Sequence, residues 1–140
     1  VKRSAKFVHF GVATSKMAIA DSGINLSREN RDRCGVCFGT TIGGENDIYE
    51  GQYRRFMEYG PGAVRRLTAP ELTPHIATGY ICSELKITGP NSTMSSGCST
   101  GLEVMNWGFK MIKRGEVDVA VIGCSDTPVF PFPLSALCSL

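Results

Sequence analysis

Residues 91–123 read NSTMSSGCSTGLEVMNWGFKMIKRGEVDVAVIG, and three hydrophobic patterns follow one another within them. Asn91–Ser96 alternates modestly, as a strand does. From Ser99 to Arg114 the period becomes helical: Leu102, Met105, Phe109 and Ile112 mark one face, and Glu103, Asn106, Lys110 and Lys113 mark the other. Lys113 and Arg114 complement the helix dipole at its C-terminal end, and Gly115 is the expected stop. Val117–Gly123 is then a nearly continuous β-branched run, the pattern of a strand covered on both faces. Strand, helix and strand with tight connections predict a βαβ unit and a parallel sheet, so the fold class is α/β.

Cys98 falls at the joint between the first strand and the helix, in SSGCSTGLEV. A sharp strand-to-helix turn pushes a side chain out of the sheet, where a substrate reaches it. Unpaired N–H groups of a first helical turn favour a thiolate, and the same groups help to hold an oxyanion when the thiolate attacks a carbonyl. Gly97 and Gly101 are expected to keep bulk away from the turn. On residue chemistry alone, an inert packing cysteine stays open as an alternative.

Outward from this unit, Phe10, Ala13, Met17, Ala20 and Ile24 recur at helical spacing, predicting a helix over about 7–21 with Gly23 as its stop. The polar stretch NLSRENRDR leads to a short strand, Cys34–Gly39, and then to the glycine-bearing turn TTIGGEN. A helix over about 46–59 is ended by Gly60-Pro61-Gly62. Residues 63–73 read as irregular, and a further helix is expected from Pro74 to about Leu85. Phe130 and Phe132, with Pro128, Pro131 and Pro133, form a rigid apolar segment that lines a pocket or an interface.

The bulk properties fit one ordinary domain. Of 140 residues, 42% are hydrophobic and 20% charged, with a formal net charge of +2, too mild to argue for nucleic acid. The arginine pairs Arg54-Arg55 and Arg65-Arg66 read as solvated surface, against a second reading as a place to meet an acidic partner. The first twenty residues imitate a signal peptide, but His9 and Lys16 interrupt the apolar stretch. No run approaches a membrane span. The chain opens on Val1 and closes on SALCSL, so residues 1–140 are expected to be part of a domain cut at both ends, from a cytoplasmic protein.

Cys34-Gly35-Val36-Cys37 has the spacing of a metal or redox pair, yet it lies in a predicted strand. Residues three apart on a strand point to opposite faces, so the two thiols do not share a metal. Neither His9 nor His75 has ligand-like spacing. No metal site is expected. His75 reads as a surface residue at a helix start.

The run GPNSTMSSGCSTGLEVMNWGFKMIKRGEVDVAVIGCSD resembles the active-site segment of β-ketoacyl-acyl-carrier-protein synthases. FVHFGVATSKMAIADSGI is similar to that family's first helix. Glu29-Asn30-Arg31-Asp32-Arg33-Cys34-Gly35 is similar to its ENxxRxG segment, GTTIGGENDIYE to its glycine turn, and HIATGYICSELKITGP to the helix before its catalytic strand. The likeness covers nearly the whole chain in the family's order. Gly97 replaces the more usual Ala, Cys124 stands where a second Gly is common, and VRRLTAPELTPH matches poorly.

The resemblance implies a thiolase-like layered αβαβα fold, of which this chain supplies most of the first half, and a homodimer in which Asn91–Ser96 pairs with its copy. It implies that Cys98 accepts an acyl group from an acyl-carrier protein and passes it to the carbanion of decarboxylated malonyl-carrier protein, in fatty acid biosynthesis. Ile42 takes the position of the acyl-pocket gate, against its other reading as a buried space-filler. The two catalytic histidines of the family lie in the half not represented, and no bound cofactor is needed. The alternatives weighed are a polyketide ketosynthase or another thiolase-superfamily acyltransferase, a non-catalytic partner subunit that shapes chain length, and a CxxC metal or redox module.

Overall fold

The computed structural model describes residues 4–140; the basic start, Val1–Arg3, lies outside them. Helix α1 spans Lys6–Ser22 and stops at Gly23, whose φ of 71° supplies the left-handed turn expected of that glycine. A short 3-10 turn, Arg31–Arg33, is opened by the Asn30 side chain, which accepts from the Asp32 amide at 3.1 Å. It leads into β1, Cys34–Gly39. Helices α2 (Glu45–Tyr59), α3 (Thr68–Glu71) and α4 (Ile76–Leu85) follow. Strand β2 (Asn91–Met94), helix α5 (Thr100–Lys113), strand β3 (Val119–Cys124) and helix α6 (Pro131–Leu137) complete the chain.

The three strands form one parallel sheet in the order β2-β1-β3, with Val36 opposite both Asn91 and Val121. The β2–α5–β3 unit is therefore present, but its crossover steps over β1. That central place explains why every residue of β1 is buried. Alternation along β1 divides the molecule into layers. Cys34, Val36 and Phe38 join one core with Phe7, Val8 and Val12 of α1 and Ala77 and Ile81 of α4. On the opposite face lies α5: a Cβ at Gly35 would meet Trp107, and one at Gly108 would lie 2.8 Å from Ile122. Helix on sheet on helix is the arrangement expected of an α/β chain.

Several expectations need correction. Residues 63–73 are not wholly irregular. A 3-10 turn at Pro61–Ala63 and the short α3 frame them, and Arg65 ties the stretch together. Its amide donates to Gln52 Oε1 at 3.0 Å and its guanidinium to the buried carboxylate of Glu71 at 2.9 Å. The apolar stripe Leu102, Met105, Phe109 and Ile112 shares one face of α5 but is exposed; the helix meets the sheet through Thr100, Val104 and Gly108 instead. The segment around Phe130 and Phe132 enters α6, where Pro131 holds the first position and its missing N–H costs no hydrogen bond. Helix α4 begins at Ile76 rather than Pro74, and β2 ends at Met94.

Candidate active site at the C-terminal edge of the sheet

In a parallel sheet the loops that leave the C-terminal ends of the strands gather on one edge, the usual place for a ligand. Three such loops meet here. Residues 40–44 leave β1, residues 95–99 leave β2, and Ser125-Asp126 leave β3.

Cys98 is exposed and sits in a 3-10 turn, Gly97–Ser99, that runs directly into α5. Gly97 has a φ of 62°, a conformation that disfavours any side chain, yet a Cβ there would meet nothing within 4 Å. Its requirement is backbone shape, not the space expected from sequence. Space is required one strand away: a Cβ on Gly39 would lie 2.4 Å from Thr100 Cγ2. Gly101 is looser, with Cys124 Sγ 3.4 Å from where its Cβ would stand.

The turn is held by its own hydroxyls. Thr100 Oγ1 accepts from the Ser96 amide at 2.9 Å and donates to the Gly97 carbonyl at 2.7 Å, while Ser99 Oγ donates to the Ser96 carbonyl at 2.9 Å. The Gly97 carbonyl also accepts from the Thr100 amide and, from across the sheet edge, from Thr41 Oγ1 at 3.2 Å. The turn that carries Ile42 is thus joined to the turn that carries Cys98. Ile42 itself is half-buried.

Asp126 organises the β1 turn. Its Oδ1 accepts from Thr40 Oγ1 at 2.7 Å, the Thr41 amide at 3.0 Å and the Ile42 amide at 2.9 Å, and its Oδ2 accepts from the Thr41 amide at 3.0 Å. Partial burial pushes this carboxyl up, but the hydrogen bonds outweigh it and hold Asp126 below the usual carboxylate range. Thr40, fully buried, accepts in turn from the Gly43 amide at 2.9 Å. The sequence reading missed Asp126, Thr40 and Thr41. The one signal for Asp126 was its place two residues beyond β3, a strand read as covered on both faces but buried in the structure only at Val121.

Of the other thiols, Cys124 lies at the same sheet edge and is exposed, and Cys138 is exposed after α6, while Cys34, Cys37 and Cys82 stand apart. Cys34 and Cys37 are buried on opposite faces of β1, and burial raises both, Cys37 to about 11. Burial also raises Cys82. Among the described residues no group of three or more His, Cys, Asp and Glu side chains is placed to hold a metal ion. His75 precedes α4 without a capping hydrogen bond from its side chain, and its ring lies 3.4 Å from Thr73 Oγ1; His9 is exposed on α1. An apolar groove between α1 and β3 is lined by Ser15, Ile19, Phe38 and Ile122, and neither Cys98 nor Ile42 borders it. No helix among the described residues is long and apolar enough to cross a membrane.

Comparison with known proteins fits this layout. The chain is 29% identical over 128 residues to a 3-oxoacyl-[acyl-carrier-protein] synthase 2 of Staphylococcus aureus, covering 91% of this chain and 32% of the relative. It is 30% identical to a Streptomyces cyaneus protein named as a polyketide β-ketoacyl synthase, over 96% of this chain and 33% of the relative. It therefore spans about a third of the length of these relatives. Among solved structures it shares its fold with a ketosynthase complex described as a type II polyketide acyl-carrier protein with its ketosynthase bound to a hexaketide. There the TM-score is 0.89 and the identity 19%, over 96% of this chain and 38% of that one. The ishigamide ketosynthase/chain length factor matches with a TM-score of 0.86 at 23% identity, over 96% of this chain and 33% of that one. The thiolase-like fold expected of a ketosynthase is thus the fold observed. Residues 1–140 match the family described as β-ketoacyl synthase, N-terminal domain, and the chain belongs to that family.

Proposed function

We propose that the protein containing this chain is a 3-oxoacyl-[acyl-carrier-protein] synthase of fatty acid biosynthesis, with Cys98 as its nucleophile. The observation that carries the reading is the exposed Cys98 in a 3-10 turn opening α5, at the C-terminal edge of a parallel sheet, in a chain of this family. The Cys98 thiol gives up its proton, and its thiolate attacks the carbonyl carbon of an acyl thioester on an acyl-carrier protein. The C–S bond to the carrier breaks, and the departing carrier thiolate takes up a proton in place of the one Cys98 released. Malonyl-carrier protein then loses carbon dioxide. The resulting carbanion attacks the acyl-Cys98 carbonyl, forming the carbon–carbon bond and expelling the Cys98 thiolate. The groups that stabilise the enolate belong to the part of the protein beyond residues 1–140.

Ile42 serves as the gate of the acyl pocket. Its turn is bonded to the Cys98 turn through Thr41, which supports placing it beside the bound acyl chain. An acyl-carrier protein is the partner, in keeping with the names of the relatives. The protein works as a homodimer: among the described residues β2 pairs with β1 along one edge and with no strand along the other, and a parallel edge beside an active site is a liability unless covered.

A polyketide ketosynthase is the second reading, favoured by the Streptomyces relative. The experiment that tests the first step is Cys98→Ser in the full-length protein. Incubated with acyl-carrier protein charged with a fatty acyl chain, the parent should gain the mass of the acyl group on the peptide containing Cys98. The variant should gain none. Acylation that persists in the variant rejects Cys98. Product analysis with malonyl-carrier protein separates the two pathways: a single condensation per acyl thioester supports the fatty-acid reading, and repeated condensation on one starter supports the polyketide one.

A further inference from the structure

We infer that Asp126 is a positioning residue for the Cys98 turn, acting through Thr41; the inference rests on Cys98 as the nucleophile. The link has three steps. The Asp126 carboxylate gathers the Thr41 and Ile42 amides and the Thr40 hydroxyl, which fixes the turn after β1. That turn aims Thr41 Oγ1 at the Gly97 carbonyl, 3.2 Å away. The Gly97 carbonyl belongs to the peptide unit that ends in the Cys98 N–H, and in a planar trans peptide the two groups point in opposite directions. Anchoring the oxygen on one side therefore sets the direction of the Cys98 amide on the other. Thr100 anchors the same oxygen from within the turn. Among the described residues, Asp126 and Thr41 supply the one anchor of this oxygen that comes from another strand's loop, so they carry the position of β1 and β3 to the nucleophile.

Nothing in this chain of contacts touches a reacting atom, so the role is geometric. Displacement of a reacting group by a fraction of an ångström is enough to slow a reaction without weakening substrate binding. The test uses the full-length protein and three variants: Asp126→Asn, Thr41→Val and the double variant. Thr41→Val keeps the side-chain shape and deletes only the hydroxyl, so it serves even if Asp126→Asn folds poorly. Each single variant should lower kcat for acyl transfer by about tenfold while KM moves less than about twofold. The double variant should be no slower than the worse single one, because both act on one contact. Amide hydrogen exchange should rise in residues 95–101 of each variant and stay unchanged in residues 104–112. Multiplying effects on kcat, an unchanged kcat, or unchanged exchange at 95–101 each overturn the inference. Acyl transfer that survives Cys98→Ser rejects the nucleophile instead and leaves the exchange result standing, so the two failures are told apart.

Discussion

Gly39 at the end of β1 and Thr100 at the start of α5 are packed so closely that a Cβ on Gly39 would lie 2.4 Å from Thr100 Cγ2. The helix that begins beside Cys98 therefore rests directly on strand backbone. Val104 would crowd the same Cβ, at 2.9 Å. Both neighbours are buried, so neither has room to move aside.

Gly39→Ala should accordingly destabilise the full-length protein by about 1–3 kcal/mol, the usual range for overpacking. Gly79→Ala is the control. Gly79 lies in the middle of α4, exposed, with nothing within 4 Å of its Cβ position. Replacing it should stabilise by roughly 0.5–1 kcal/mol, the difference in helix propensity. Urea denaturation of the two variants beside the parent measures both. A stable Gly39→Ala would show that α5 lifts from the sheet at no cost, against the packing described.

The six thiols should separate by exposure and by place: Cys98, Cys124 and Cys138 are exposed, and of these Cys98 alone sits in a turn that opens a helix. Limited treatment of the full-length protein with iodoacetamide near neutral pH should label Cys98 first, because it is exposed on a helix-opening turn. Cys34 and Cys37 should stay unlabelled while the protein is folded. With Cys37 raised to about 11, only about one molecule in a thousand carries that thiolate at pH 8. Peptide mapping reads the order, and early labelling of Cys34 or Cys37 would contradict it.

The same burial predicts an alkaline limit to stability. A folded-state value of about 11 against an ordinary 9.0 means that folded Cys37 keeps its proton where the unfolded chain gives it up. The stability it contributes is complete below pH 9.0 and falls away as pH rises from there to about 11. Cys34 and Cys82 act in the same direction. Melting temperatures measured from pH 8 to pH 11 should decline, and Cys37→Ala should make that decline shallower. An equal slope in the variant would place the alkaline loss elsewhere.

Ile42 separates gate from filler. Removing its side chain opens apolar volume beside the proposed pocket, and each methylene buried there is worth about 0.8 kcal/mol of binding. Ile42→Gly in the full-length enzyme should shift the products toward longer chains without abolishing activity. A fixed product profile with a lower melting temperature assigns Ile42 to packing alone.

What the sequence disclosed and what it hid follow one division. β1 was read at its observed bounds, Cys34–Gly39, and α1 and α5 to within a residue at either end, because each carries its own period and its own stop. Gly23 and Gly115 both adopt the positive φ expected of helix-ending glycines. The Cys98 turn was legible for the same reason: strand, glycine and helix are adjacent in the chain. The contacts that were missed join distant residues. Asp126 meets Thr40 and Thr41 some 85 residues back, and Arg65 finds Glu71 and Gln52 around a stretch with no period of its own. The outward stripe of α5 was misleading because amphipathicity marks an apolar face without naming what covers it. Gly108, through which the helix meets the sheet, carries no hydrophobic signal at all.

That stripe leads to the last expectation, that residues 1–140 alone associate and do not carry out condensation. Leu102, Met105, Phe109 and Ile112 are between 49% and 71% exposed, and Val129, Phe132 and Leu137 add exposed apolar surface near the end of the chain. Large contiguous patches of this kind favour aggregation. The relatives are about three times as long, and in the proposed full-length protein further chain of that kind would cover these faces. Condensation needs a thiolate, an oxyanion site and groups that stabilise the enolate left by decarboxylation. In the proposed reaction Cys98 and its turn would supply the first and part of the second. For the third, His75 lies exposed at the start of α4 and His9 lies exposed on α1, neither in a segment resembling the family's histidine motifs. Residues 1–140 and the full-length protein should be prepared side by side. Light scattering should show large particles for the short chain and a discrete species of twice the chain mass for the full one. Malonyl decarboxylation and acyl transfer, assayed separately, should be absent or weak in the short chain. Full condensing activity from residues 1–140 would mean that the enolate-stabilising groups are already within them, and that the division of labour proposed between the two parts of the protein is wrong.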